Sequence, residues 1–328
     1  MLNGKRNYCM DFVKGILCMC VVVTHCMFPG YLGIIIKDII RLTVPFFLMV
    51  SGYFCYKEGG KTDYLKKIKH IGYITLCASV FYLIVTPLYQ KESISISLTS
   101  ILKLAIFNKP TYLASPLWFL FALLYDYILF ALLEKLNLRK LAYLAIPIGF
   151  LVHISMAQGL YILGHALPSI CYRNFLIYGF PFFSLGFYIH EKQNHVQISN
   201  KILIAGLIIS TLLCPVERNL MGKSFPINFV SYVQSICLFI FAVKNPEIGK
   251  GKMLNKLGTK YSLYIYVLHA AIWHILDNLY AFLGIDANKI FIYIRPIICV
   301  IVSVAVSVLY VYVFEVIKNR ISVRVKGQ

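Results

Sequence analysis

Apolar runs recur along the whole chain, each of about 17 to 25 residues, the length that crosses the hydrocarbon core of a bilayer as a helix. Because lipid offers no hydrogen bonds, only a helix or a closed barrel satisfies the backbone of a spanning segment. Hydrophobic residues make up 59% of the chain and charged residues only 14%, which excludes an ordinary soluble domain. The sequence therefore predicts an all-α fold, a polytopic bundle of membrane helices.

Hydropathy predicts the bounds of about ten transmembrane helices. They are residues 10–28, 35–56, 70–89, 114–133, 141–158, 173–189, 201–215, 226–243, 260–281 and 289–316. The segment 94–107 alternates serine with isoleucine and leucine, and it is predicted to lie at the membrane interface. Since the sequence shows neither a repeat nor a soluble domain, residues 1–328 are expected to form a single transmembrane domain with no appended soluble domain.

The charges and cysteines argue against two other kinds of site. A formal net charge of +19 is compatible with nucleic-acid binding, but the basic residues cluster in alternate loops. By the positive-inside rule, about 21 cations on one side against about 7 on the other place both termini in the cytoplasm, so no nucleic-acid partner is expected. The 10 cysteines lack metal-ligand spacing, so buried free thiols and no metal site are predicted.

The first span carries three polar residues: Asp11, Lys14 and His25. At about 100° per residue, a helix places Lys14 and His25 within about 20° of the same face and about 16 Å apart along its axis. With a cytoplasmic amino end, the amine suits an anionic ligand from that side, and a neutral imidazole suits proton removal from a hydroxyl. Taken singly, a snorkelling lysine and a structurally hydrogen-bonded histidine are the alternatives.

The second span adds three polar residues, Arg41, Ser51 and Tyr53, together with Pro45 and Gly52, which affect the helix backbone. This span runs inward, so Arg41 is expected at a depth similar to that of His25. Pro45 is predicted to bend the helix, and Gly52 to permit a close helix contact. An arginine in lipid needs an aqueous cavity or an anion, so a functional role is favoured over a structural ion pair, for which the span shows no evident partner.

These residues form motifs that continue down the chain. The first span contains Asp11-x-x-Lys14-x10-His25, and the second contains Arg41-x3-Pro45-Phe-Phe-x3-Ser51-Gly52-Tyr53. The fourth span opens with Pro116-Leu-Trp118-Phe-Leu, and the sixth opens with Arg173-Asn174-Phe. The ninth contains Ser262-Leu-Tyr-Ile-Tyr266-Val-Leu-His269. In this order, and over essentially the whole chain, they resemble the acyltransferase-3 family of integral-membrane acyltransferases. The family usually has arginine where this chain has Lys14, which keeps the charge but not the bidentate fork.

The resemblance implies transfer of an acyl group, most likely acetyl, from cytoplasmic acyl-CoA to a hydroxyl of a cell-surface polysaccharide or its lipid-linked precursor. It implies a bacterial plasma-membrane protein that uses acyl-CoA as co-substrate and holds no permanent cofactor. The catalytic candidates are His25, as base or transient acyl carrier, and Arg41, which would stabilise negative charge on the thioester oxygen or hold a phosphate. The donor-binding candidates are Asp11, Lys14, Ser51 and Tyr53, and the acceptor-binding candidates are Trp118, Arg173, Glu217 and His269.

Simpler alternatives exist for some of these residues and for the function. Trp118 also suits an interfacial aromatic belt, and His269 suits a structural or supporting role. Glu217 is as well explained by an ion pair with a neighbouring arginine. A transporter or flippase for a glycan or lipid would also need a polytopic bundle with buried cations. The inverted repeats typical of transporters are, however, not detected in this sequence.

Overall fold

The computed structural model describes residues 6–58, 62–89, 97–111, 113–286 and 288–326. Over these ranges the regular structure is helical and includes no strand, which confirms the all-α prediction. Helices long and apolar enough to cross a membrane lie at Tyr8–His25, Tyr64–Pro87, Ser115–Lys135, Arg139–Ile162, Asn200–Met221 and Phe291–Asn319. Helices also cover the other four predicted spans without meeting both criteria, so the total of ten and the side of the termini stay predictions.

The α-helices are α1 Tyr8–His25, α2 Gly30–Ile39, α3 Thr43–Tyr53, α4 Tyr64–Tyr89, α5 Leu98–Phe107, α6 Trp118–Lys135, α7 Arg139–Ile154, α8 Leu160–Ile162, α9 Phe180–Glu191, α10 Asn200–Met221, α11 Phe229–Lys244, α12 Met253–Lys256, α13 Ser262–Phe282 and α14 Phe291–Lys326. Short π-helices occupy Ser155–Gly159, Phe175–Gly179 and Leu257–Tyr261. The predicted interfacial segment corresponds to α5, and its residues 94–96 lie outside the described ranges. The chain divides into two compact units, one formed by Met1–Gly33 with Pro246–Gln328 and the other by Ile34–Asn245.

In the first unit, α1 packs directly on the backbone of the segment that precedes α13. A Cβ atom added to Gly15 would lie 2.1 Å from the Leu254 carbonyl oxygen, and one added to Gly258 would lie 1.9 Å from that of Asp11. Real Cβ atoms do not approach so closely, so both positions require glycine. Helices α13 and α14 also pack against α1. The first turns of α1 are therefore held at backbone contact distance.

In the second unit, α3 packs closely on α9, and Gly52 lies at a backbone contact between them. A Cβ atom at Gly52 would lie 1.8 Å from the carbonyl oxygen of Phe183 on α9. This confirms the predicted close helix contact at that glycine. Phe130, Phe183 and Phe187 are each less than 3% exposed, and they form part of the aromatic core beside α3.

The helix changes its type one turn before Pro45, and the predicted bend at this proline stays a prediction. The helical path is interrupted earlier, where Ile40–Leu42 forms a 3₁₀ turn between α2 and α3. Pro45 lies one turn after this 3₁₀ turn, and it has no N–H to donate to the carbonyl of Arg41, four residues earlier. The change of helix type therefore occurs at Arg41 itself, and α3 restarts two residues after it.

Candidate active site

Helix α1 places Asp11, Lys14 and His25 on one continuous helix in the first unit. The side chain of Asn7 accepts a hydrogen bond from the Met10 amide and caps the helix start. An acidic residue in the first turn is stabilised by the helix dipole, and Asp11 occupies that turn. His25 is the last residue of the helix.

The Asp11 carboxylate is bound by two cations. One oxygen lies 2.8 Å from the Lys14 amine, and the other accepts a hydrogen bond of 2.9 Å from Arg6 Nε. Arg6 also donates to the Asn255 side chain at 3.4 Å, and its own side chain is half exposed. The three ionised groups carry a net charge of +1. Lys14 is therefore paired with Asp11, and the second cation, Arg6, leaves the cluster with an excess positive charge. Arg6 was not assigned to this site from the sequence.

At the other end of α1, His25 is in ring contact with α13. Its ring centroid lies 5.1 Å from that of His269 and 6.4 Å from that of Trp273. A linear N–H···N hydrogen bond between two imidazoles requires a centroid separation of about 5 Å, since the bond itself spans about 3 Å. The two rings are therefore close enough for such a bond, but none joins them in this structure, because Nε2 of His269 has no hydrogen-bond partner among the described residues.

His269 is fully buried, and backbone contacts orient its ring. Nδ1 lies 2.7 Å from the Tyr266 carbonyl oxygen and 3.2 Å from that of Ile265, so it must carry the proton and donate. Nε2 is then an acceptor, and within the described residues it has no hydrogen-bond partner. A buried acceptor without a donor is costly, which makes this atom a candidate partner for a group that gains a proton.

In the second unit, Arg41 is bound by a carboxylate one turn earlier. Asp38 is completely buried, and its Oδ1 lies 3.4 Å from Arg41 Nε. Arg41 also donates to the Pro226 carbonyl oxygen at 3.4 Å. The prediction that this span holds no partner for Arg41 was therefore wrong, because Asp38 lies three residues earlier in the same span, a spacing that would have identified it. Because His25 belongs to the other unit, the predicted match in depth stays a prediction.

Asp38 also contacts residues far away in sequence. Its Oδ2 accepts a hydrogen bond of 2.9 Å from the Ser224 hydroxyl and lies 3.7 Å from Arg218 Nε. One buried carboxylate thus faces two guanidinium groups. Arg218 and Ser224 were not assigned to this site from the sequence, because no local pattern links them to α2.

The remaining donor candidates are held by contacts within the protein. The Ser51 hydroxyl donates to the Phe47 carbonyl oxygen one turn earlier. The ring of Tyr53 stacks on His190 at 3.9 Å, and its hydroxyl donates to Gln193 at 3.0 Å. Both residues are thereby ordered in the second unit, and their predicted contact with a donor stays a prediction.

Trp118 and Arg173, two of the acceptor candidates, lie together in the second unit. The guanidinium carbon of Arg173 lies 4.5 Å from the centroid of the Trp118 ring. Asn108 stabilises this arrangement with two hydrogen bonds. Its side-chain Nδ2 donates to the Trp118 carbonyl oxygen, and its Oδ1 accepts from the backbone N–H of Phe175. The structure therefore brings together two residues that are 55 positions apart in the printed sequence.

Glu217 accepts hydrogen bonds from the protein itself. Its carboxylate binds the backbone amides of Phe229 and Val230 at 2.6 and 2.9 Å, which caps the start of α11, and it accepts from Gln158 at 2.8 Å. A carboxylate at a helix N-terminus is stabilised by the helix dipole. Among the described residues, no arginine forms the ion pair with Glu217 that was offered as an alternative, and the predicted contact of Glu217 with an acceptor stays a prediction.

Two cavities in the second unit are lined by several basic residues. They have volumes of about 900 and 710 Å³ and share Tyr56, Lys57 and Thr62. Lys135 and Arg139 line the first cavity, and Lys66, Lys67 and His70 line the second. In the described part of the chain, no group of three or more histidine, cysteine, aspartate or glutamate side chains is placed to hold a metal ion.

Comparison with known proteins identifies the family of this arrangement. The family model described as an acyltransferase domain matches residues 7–314, which is nearly the whole chain. No curated protein and no solved structure matches the chain. The matched range includes both histidines of the ring pair, the Asp11–Lys14 pair and the Asp38–Arg41 pair. The chain is therefore a member of the acyltransferase-3 family, and its helices form a membrane acyltransferase domain.

Proposed function

We propose that the protein transfers an acyl group, most often acetyl, from cytoplasmic acyl-CoA to a hydroxyl of a cell-surface polysaccharide or its lipid-linked precursor. The contact between the rings of His25 and His269 carries this proposal. It supplies a proton acceptor and a group that orients it inside a family of acyl-transferring membrane proteins. The family and the apolar helices support a membrane location, which we propose to be the bacterial plasma membrane.

His25 acts as the general base in this reaction. Its imidazole removes the proton of the acceptor hydroxyl as the oxygen attacks the thioester carbonyl, and the C–S bond then breaks. The proton passes to the thiolate, so the products are an O-acyl ester and free CoA. In the alternative path His25 first takes the acyl group and then yields it to the hydroxyl. The net balance of atoms is the same in both paths.

His269 positions His25. Its Nε2 is a buried acceptor, and an N–H of His25 directed to it would fix the tautomer that leaves the other His25 nitrogen able to take a proton. When His25 gains that proton, the same contact stabilises the imidazolium. This is the general logic of a base that is oriented by a further group.

Charged groups elsewhere suit the donor. The cluster of Arg6, Asp11 and Lys14 has a net positive charge at the end of α1 that is predicted to be cytoplasmic. The two cavities of the second unit offer lysine side chains that suit the phosphates of CoA, whereas Arg139 is already paired with Glu134 and Glu191. Arg41 is proposed to stabilise negative charge on the thioester oxygen, as its charge allows.

Purified protein tests the proposal in detergent with acetyl-CoA and a panel of glycans. Wild-type protein should release free CoA only when an accepted glycan is present, and mass spectrometry should find the acyl group on that glycan. His25→Ala and Arg41→Ala should abolish both signals, whereas His165→Ala, at an exposed histidine, should retain them. Thioester cleavage that never occurs with any glycan would favour a transporter or flippase.

A further inference from the structure

A cavity of about 330 Å³ in the second unit is lined by residues that the proposed chemistry does not use. It lies where α5 ends, α6 begins and the 3₁₀ turn Ser169–Cys171 leads into Arg173. Its volume is within the range of small-molecule sites. Trp118 and Arg173 are part of its wall.

The charged residues that line this cavity are all positive within the described part of the chain. Its described lining residues include two cations, Lys109 and Arg173, and neither an aspartate nor a glutamate. Hydroxyl groups of Thr111, Ser115 and Ser169 line the same space. Two positive charges beside hydrogen-bonding hydroxyls suit a ligand that has both an anionic group and sugar-like hydroxyls.

The arginine is built into the wall. Trp118 is only 8% exposed, and the guanidinium carbon of Arg173 lies over its ring, 4.5 Å from the centroid. A guanidinium held by its face keeps its N–H donors in the plane along its edge, the geometry that binds a carboxylate or phosphate with two hydrogen bonds. The Tyr178 ring packs edge-on against the Trp118 ring, with 5.8 Å between the ring centroids, and further restricts the Trp118 ring.

A buried asparagine fixes the elements that form the cavity. Asn108 has no exposed surface and a left-handed backbone, with φ of 47°, at the C-cap of α5. Its amide holds the start of α6 through the Trp118 carbonyl oxygen, and its carbonyl holds the Phe175 amide at 2.7 Å. The wall is therefore preorganised, which lowers the entropy cost of binding.

We propose that this cavity binds an oxyanion of an acidic saccharide, the carboxylate of a uronic acid or a phosphate on a sugar, with Arg173 as the main contact and Lys109 as the second. This inference rests on the proposed acyl transfer to a glycan, and it names the class of acceptor. Neutral glycans lack the group that the two cations require.

Tryptophan fluorescence tests the proposal, because the chain has only 2 tryptophans. A full-length Trp273→Phe protein in detergent reports on Trp118 alone. Methyl glucuronide should quench this signal saturably and at least tenfold more tightly than methyl glucoside, which has no carboxylate. Arg173→Gln should weaken glucuronide binding about 10- to 100-fold, the range for a lost charge-assisted hydrogen bond. Lys109→Gln, at an exposed side chain, should weaken it several-fold.

Lys223→Gln is the matched control. Lys223 also stacks on aromatic rings of the second unit, at 5.0 Å from the Tyr161 centroid, but it does not line the cavity, so its removal should leave glucuronide binding unchanged. Equal affinities for glucuronide and glucoside, or unchanged binding in Arg173→Gln and Lys109→Gln, would overturn the proposal. Quenching by phosphatidylglycerol but by neither glucuronide nor glucose 6-phosphate would also overturn it, because the ligand would then be a lipid headgroup.

The binding assay contains no acyl-CoA, so it is independent of acyl transfer. If glucuronide binds as expected and wild-type protein acylates no glycan, the proposed function fails and the anion site stands. If wild-type protein acylates neutral glycans and shows no preference for glucuronide, only the anion site fails.

Discussion

The buried carboxylate of Asp38 holds two guanidinium groups, and its replacement by an amide tests whether that arrangement is structural. Asp38→Asn keeps the size of the side chain and removes its negative charge. The side chain has no exposed surface, and Arg41 and Arg218 have only 16% and 19% of theirs exposed. Both cations would lose their carboxylate in a site that water reaches poorly.

The expected cost is large for a single substitution. Removal of one partner from a buried ion pair costs about 3–5 kcal/mol, because the remaining charge is left unpaired. The Ser224 hydroxyl can still donate to the amide oxygen at this position, so that hydrogen bond is expected to persist. Arg218→Gln in the Asn background removes one excess charge, and it should recover part of the loss.

The assay is unfolding of the purified full-length protein by sodium dodecyl sulfate in mixed micelles, followed by helical circular dichroism. Glu247→Gln is the matched control, because Glu247 and Lys250 form an i, i+3 pair at 3.1 Å that is more than half exposed. That control should cost under about 1 kcal/mol. A cost for Asp38→Asn as small as that of the control would refute the reasoning and would show that Arg41 lies in a hydrated cavity.

Three further substitutions test other parts of the structure. Gly15→Val should destabilise the first unit by about 1–3 kcal/mol or more in the same unfolding assay. Gly72→Ala is the control, because the added Cβ would lie 3.9 Å from its nearest neighbour, and it should change the free energy of unfolding little. His269→Gln should lower kcat about 10- to 100-fold and shift its pH profile, whereas a purely structural role predicts an unshifted profile. Glu217→Gln should cost about 1 kcal/mol of stability and leave the KM for the acceptor unchanged if the residue only caps α11. A raised KM would instead support its predicted contact with the acceptor.

The helices and the polar stripe of α1 follow from local sequence. Hydropathy and segment length locate the helices, and Asp11, Lys14 and His25 lie on α1 because one uninterrupted helix contains them all. The pairing of Asp11 with Lys14 follows from i, i+3 spacing, and the same rule applied to Asp38 identifies the partner of Arg41.

Long-range contacts were not predictable in this way. His25 meets His269, and Asp38 meets Arg218, through packing of helices that are distant in sequence. No periodicity within a helix specifies which other helix it faces. Pro45 signals a change in the helix from sequence alone, and the 3₁₀ turn at Ile40–Leu42 lies one turn before it, where a proline disturbs a helix.

The backbone contact between Gly15 and Leu254 has a consequence for biogenesis. Helix α1 leaves the ribosome about 240 residues before the segment that it packs against, and at about 5–20 residues per second that interval lasts roughly 10–50 s. During this time α1 must remain in the membrane without the partner that covers its glycine face. The Lys14 amine reaches Asp11 within the same helix, so this charge is neutralised before any other helix arrives. The ion pair thus favours insertion of α1 as well as order at the finished site.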